Sequence, residues 1–227
     1  MRIAIYTCIT GGYDDFREPE TIESDCDYYY ISDKHIDLPQ GFRFIDVDTL
    51  VPDKDISPKD KNRYCKMHPY EIFAEYDFTI YFDGSIQLIK PISHYIHRVG
   101  TSGLAIHRHR ERDCVYSEGI FLVWLGAAKK DDMLKDVGRY VDAGLPKHFG
   151  LFEGGMIVTD IHNPTVRELY RNWYDEYLTG MKRDQQALIL TLWKMGMETN
   201  VIGDIGEGHY NILSNPDIRW DRGAHYK

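Results

Sequence analysis

The sequence predicts an α/β protein: one domain with a mostly parallel central sheet flanked by helices. Three observations predict it. Ile3 to Cys8 is a nearly continuous apolar run, the pattern of a parallel strand buried on both faces. Short strands of this kind alternate with longer segments of helical period. Several strands stop at polar or acidic residues, at Ser32-Asp33, Asp48 and Asp83, where open α/β sheets collect ligands outside the carboxyl ends of their strands. A length of 227 residues suits one such domain with a sizeable core.

After the first strand, Ile9-Thr10-Gly11-Gly12-Tyr13-Asp14-Asp15 reads as a glycine loop. Asp27 to Ile31 is the second strand and Arg43 to Val47 the third. Ser57 is a helix N-cap with Pro58 at the first position, and that helix runs to about Glu75, disturbed near Pro69. Thr79-Ile80-Tyr81-Phe82, β-branched and aromatic, forms a strand that stops at Asp83-Gly84. Pro91 to Arg98 is a short helix and Gly103 to His107 a brief strand. Asp131 to Asp142 is helical, with Met133, Leu134, Val137 and Val141 on one face. Phe152-Glu153-Gly154-Gly155 is a loop entering a strand that ends near Thr159. Asn163-Pro164 caps a helix to about Leu178, with Val166, Leu169, Tyr170, Trp173 and Tyr177 at the 3.6-residue period. Arg183 to Met195 is a helix that is apolar nearly all round, hence buried; beyond Ile202 the chain is glycine-rich and irregular.

A net charge of -9 disfavours nucleic acid as a partner, which demands a basic face. Two local basic clusters, Lys59/Lys61/Arg63/Lys66 and His107/Arg108/His109/Arg110/Arg112, nevertheless suit a small polyphosphate. Cys8, Cys26, Cys65 and Cys114 form no C-x-x-C pair, so reduced thiols are expected rather than a disulfide scaffold or zinc cage. No apolar run reaches membrane-spanning length and Met1-Arg2 leads straight into a strand, so the expectation is a cytoplasmic protein, peripheral at the inner membrane at most.

Candidate chemistry sits at the strand ends. Gly11-Gly12 permits close backbone approach to a ligand, with Thr10 and Tyr13 positioned to bond or stack on a base, although neither G-x-G-x-x-G nor a P-loop is present. Asp33 can accept from a base or ribose hydroxyl. Arg63 and Lys66 share a helix face and can neutralise a pyrophosphate. Asp83, ahead of Gly84-Ser85, can hold a divalent cation against a diphosphate. Glu153, Asp184 and Gln185 offer carboxylates and an amide for sugar hydroxyls. His107, Arg108 and Glu118 are further donor or acceptor contacts, and His209 and His225 are late histidines able to join a cation site.

These residues fall in motifs that resemble the GT-A type of nucleotide-sugar glycosyltransferase, and more narrowly the family of plant mucilage-related and bacterial surface-polysaccharide transferases. The motifs are Tyr6-Thr7-Cys8-Ile9-Thr10-Gly11-Gly12-Tyr13-Asp14, Arg63-Tyr64-Cys65-Lys66-Met67-His68-Pro69, Tyr76-Asp77, Tyr81-Phe82-Asp83-Gly84-Ser85, Arg112-Asp113-Cys114-Val115-Tyr116-Ser117-Glu118, Leu151-Phe152-Glu153-Gly154-Gly155, His162-Asn163 and Arg183-Asp184-Gln185. The resemblance implies a single GT-A-like domain, with a nucleotide-binding half over about 1–100 and an acceptor half over about 101–227. It implies a nucleotide-sugar donor, UDP foremost, a Mn²⁺ or Mg²⁺ ion, and hexosyl or glycuronosyl transfer to a saccharide, glycolipid or other hydroxyl acceptor in polysaccharide synthesis. Thr10, Gly11, Gly12, Tyr13, Asp33, Arg63, Lys66, Asp83 and Ser85 would then hold the donor, Glu153, Asp184 and Gln185 the chemistry, and Asp83 with His209 or His225 the metal. The chain departs from the family's Asp-x-Asp by carrying Ser85 at the second acidic position. Two other classes fit the same residues: a metal-assisted hydrolase using Glu153 and Asp184, and a binding module without turnover.

Overall fold

The computed structural model describes residues 1–202 and 215–220. Nine strands are present among them: β1 (Ile3–Ile9), β2 (Asp27–Ser32), β3 (Phe42–Asp46), β4 (Phe78–Phe82), β5 (Ile86–Leu88), β6 (Leu104–Arg108), β7 (Phe152–Asp160), β8 (Asn200–Val201) and β9 (Ile218–Trp220). Seven form the central sheet in the order β3-β2-β1-β4-β7-β6-β8, while β5 and β9 pair as a separate ribbon. β1 is parallel to β2 on one side and to β4 on the other, with Tyr6 opposite both Tyr29 and Tyr81. β7 is antiparallel to both β4 and β6, and β8 is parallel to β6. Among the described strands of the central sheet, β7 alone therefore runs against the rest.

Two consequences position a site. The chain leaves β1 toward β2 and returns on its other side as β4, which makes the carboxyl ends of β1 and β4 a topological switch point. Because β7 is reversed, its first residues arrive at that same edge, where Asp83 donates its backbone N–H to the Gly155 carbonyl at 2.7 Å. The end of β6 joins them, with His107 opposite Glu153 after a bulge.

Strand side chains alternate between two cores. Tyr6, Cys8, Tyr81, Ile106 and Ile157 face one of them with α1 (Pro58–Met67), α2 (Pro69–Ile72), α5 (Pro164–Thr179) and α6 (Asp184–Met195). Ile5, Ile80, Phe82, Met156 and Val158 face the other, with the 3₁₀ turn at Ser93–Arg98 and β5 and β9. A third cluster joins α3 (Val115–Trp124) and α4 (Lys130–Asp142) to α6 through Val115, Tyr140 and Ile189.

The caps follow sequence logic. Ser57 accepts from the Asp60 N–H at 3.1 Å, and Asn163 accepts from Thr165 and Val166. The predicted stripe of α5 is buried throughout, and Trp173 donates to the Asp184 carbonyl at 2.8 Å, tying α5 to the start of α6. Truncating Trp173 to Ala would cost about 3–5 kcal/mol. The thiols of Cys8, Cys26, Cys65 and Cys114 are all free.

Four expectations need correction. The first helix ends at Met67, and Pro69 opens the separate helix α2 because its ring cannot continue the turn. Phe152 to Gly155 already belong to β7, since Phe152 and Glu153 pair with Arg108 and His107 of β6. Val115–Trp124 is a helix that the periodicity did not announce, because it is apolar on several faces. Within the stretch expected to be irregular, Ile218–Trp220 is a strand, held by its ladder to β5.

Candidate functional site

At the switch point lies a cleft of about 680 Å³. Thr10, Gly11, Tyr13, Arg63, Lys66, Asp83, Ser85, Glu153, Asp184 and Gln185 all line it. The glycine loop is held from beneath. Thr10 donates its hydroxyl to the Pro58 carbonyl at 2.6 Å, and Gly11 takes φ +65°, with space for a Cβ only 2.7 Å from the Pro58 side chain. No larger residue combines that approach with a left-handed backbone. Asp33 accepts from the Gly11 N–H at 2.8 Å. It braces the loop, and Asp33 and Gly12 are both exposed.

One end of the cleft is cationic. Lys66, 1% exposed, donates to Asp184 at 2.6 Å and lies 3.9 Å from Asp83. Arg63 Nε is 3.4 Å from the same Asp184 oxygen. Burial alone would raise the Asp184 pKa, but Arg63 and Lys66, helped by Arg183, hold it far below the usual carboxylate range. Burial likewise works against Arg63, and Asp184 with Asp83 keeps it protonated. Lys59 is pushed down, first by burial and then by Arg183 and Arg63. One buried carboxylate thus sits among four cations, an environment that draws a second, multivalent anion. The same balance leaves Asp184 poorly suited to take up a proton; it accepts from Lys66 and lies beside Arg63.

The opposite end is carboxylate-rich. His109, Glu118 and Glu153 are all buried. His109 Nδ1 accepts from the Glu111 and Arg112 N–H groups at 3.2 and 3.0 Å, which places the ring proton on Nε2. That Nε2 stands 3.8 Å from Glu153 and 3.9 Å from Glu118, and Arg112 donates through Nε to Glu118.

Gly154 and Gly155 join the two ends. A Cβ on Gly154 would meet Lys66 Nζ at 2.6 Å, and one on Gly155 would fall 2.0 Å from the Trp220 ring. Each missing side chain is the seat of a neighbour. Trp220 lines the cleft and donates to Ser85 Oγ at 3.1 Å, and Ser85 lines the cleft beside it. Gln185 donates to the Phe152 carbonyl at 3.1 Å. His209 and His225 lie outside the described residues.

For a divalent cation, Asp83 is the suited ligand. Tyr81 donates to its Oδ1 at 2.6 Å and Lys66 approaches the same oxygen, so both contacts leave Oδ2 for the cleft. One carboxylate fits an ion that fills its shell with water and substrate phosphate oxygens. The acidic group Glu23, Asp25 and Cys26 also has donors close enough for a metal, but it lies away from the cleft, and Glu23 accepts the Ile92 and Ser93 N–H groups at 2.8 and 3.1 Å.

Motif reading missed Asn62, which donates to the Cys8 carbonyl at 2.5 Å, and the pairing of His109 and Trp220 with the site. The glycine pair at 154–155 was the available signal, since two adjacent glycines inside a strand mark close approach.

No family model matches the sequence, and no curated protein is similar to it. Solved structures do match the fold. A WbbM bifunctional glycosyltransferase superposes with a TM-score of 0.55 at 12% identity, over 87% of this chain and 38% of that one. This chain therefore spans well under half of WbbM. Mouse xyloside xylosyltransferase 1 gives a TM-score of 0.51 at 11% identity, over 86% of this chain and 82% of that one. No helix among the described residues is long and apolar enough to cross a membrane. Sheet order, flanking helices and these likenesses together make the architecture a GT-A-like glycosyltransferase fold.

Proposed function

We propose that the protein transfers a glycosyl group from a nucleoside diphosphate sugar to a hydroxyl acceptor. The observation that carries this reading is one cleft with a cationic end at Lys66 and Arg63 and a buried carboxylate, Glu153, at the other. WbbM and xyloside xylosyltransferase 1, whose fold it shares, are named for glycosyl and xylosyl transfer.

In this reading Thr10, Gly11 and Tyr13 border the nucleotide, which we take to be UDP. Arg63 and Lys66 meet charge as it grows on the departing diphosphate, a contribution concentrated in the transition state. A divalent cation held by Asp83, Mn²⁺ or Mg²⁺, supplies further positive charge to that leaving group when bound. Glu153 takes the acceptor hydroxyl proton. Gln185 and Asp184 border the transferred sugar, hexosyl or glycuronosyl. Donor contacts come mainly from residues up to about 100 and acceptor contacts from the remainder. Polysaccharide synthesis at the cytoplasmic side of a membrane, on a saccharide or glycolipid, is the setting we assign.

A thermal-shift panel of UDP, GDP, CMP and TDP, with and without Mn²⁺, tests the donor. Ligand at a hundred times its Kd adds about 2.7 kcal/mol to the native state. Incubation with UDP-sugars and a saccharide then tests transfer. Asp83→Asn should lose the Mn²⁺-dependent part of the shift and keep its fold. Equal sugar release with and without acceptor would replace transfer by hydrolysis.

A further inference from the structure

We propose that the end of α3 bordering the cleft is a subsite for the second sugar of an oligosaccharide acceptor, with Trp124 as its stacking face. This rests on the transferase reading above. Trp124 is 77% exposed and Ile120, one turn earlier, 63%. Single apolar side chains at the surface need no explanation, but Trp124 is joined to the site. Its ring stacks on Phe121, centroids 5.8 Å apart at 28°, and Phe121 and Leu125 line the cleft. The Arg112 guanidinium lies 3.9 Å from the centre of the Phe121 ring, while its Nε reaches Glu118. A continuous path therefore leads from the Glu118–Glu153 end, across Phe121, onto an open indole.

The rim also selects the occupant. Arg110 and Glu111, paired at 3.5 Å, border the cleft beside Arg112. A sugar presents a C–H face and a hydroxyl edge together. An aromatic face flanked by planar charged groups answers both. An acyl chain would require an uncharged groove.

The test measures retention of wild type, Trp124→Ala and Trp124→Phe, with UDP present, on immobilised glucose, galactose, mannose and xylose and on their di- to hexasaccharides. Phosphatidylglycerol vesicles form a second arm. At least one oligosaccharide should bind wild type about tenfold more tightly than its monosaccharide, the scale of one aromatic contact. Trp124→Ala should erase that preference and Trp124→Phe restore most of it. Absence of any oligosaccharide preference, a preference untouched in Trp124→Ala, or Trp124-dependent capture by vesicles alone would overturn the proposal. The UDP thermal shift of the same wild-type sample separates the two failures. If it persists, only the subsite falls; if it is missing too, the transferase reading falls with it.

Discussion

The two ends of the cleft bury charge in opposite ways. At Lys66, Arg63 and Asp184, cations outnumber the carboxylate and pin it ionised. At Glu153, Glu118 and His109, two carboxylates share one imidazole whose Nδ1 already accepts two backbone N–H groups. The first end is suited to receive negative charge; the second is the one to which the proposed reading assigns the base, Glu153. In the proposed transferase, Asp184 is an orienting anion and Glu153 the base, two roles for carboxylates in different surroundings.

Substitutions can break that contrast. The largest effect is expected from Lys66→Met, which strips a fully buried ammonium from Asp184 and should cost about 3–5 kcal/mol, read as a lower urea midpoint. Glu153→Gln should lower turnover by about 10²–10³-fold with UDP affinity retained, as measured by initial rates and calorimetry; equal loss of both would remove Glu153 from the base role. Arg63→Ala should weaken UDP binding by about tenfold to a hundredfold with a smaller change in acceptor affinity. The subtlest test is pH. Because Asp184 titrates lower in the folded chain than unfolded, its stabilisation is complete above the unfolded carboxylate pKa of about 3.9 and is lost as pH falls below it. Asp184→Asn should therefore be less stable than wild type at neutral pH, and the gap should narrow below about pH 4. A constant gap across that range would mean that shape rather than charge makes Asp184 matter.

Much of this was legible in the residues, for local reasons. Ile3–Cys8 and Thr79–Phe82 declare themselves as strands, and Asp83, Arg63 and Lys66 fall at strand end and helix face, where topology gathers ligands. What the residues did not announce at the site depends on partners distant in sequence. The bonds of Asp33 to Gly11 and of Ser85 to Trp220 have no local signature. The His109 contacts need the reversed strand β7 and the bulge after Ile106, and neither leaves a periodic trace.

Trp220 has a consequence of its own. Its indole rests where Gly155 has no side chain, bonds Ser85 and faces the cleft, whereas Trp173 and Trp193 donate to main-chain carbonyls at Asp184 and Ala143. The molecule thereby carries its own fluorophore against the floor where donor would lie. In a Trp124→Phe background its emission should change on nucleotide addition, giving a label-free optical gauge of occupancy.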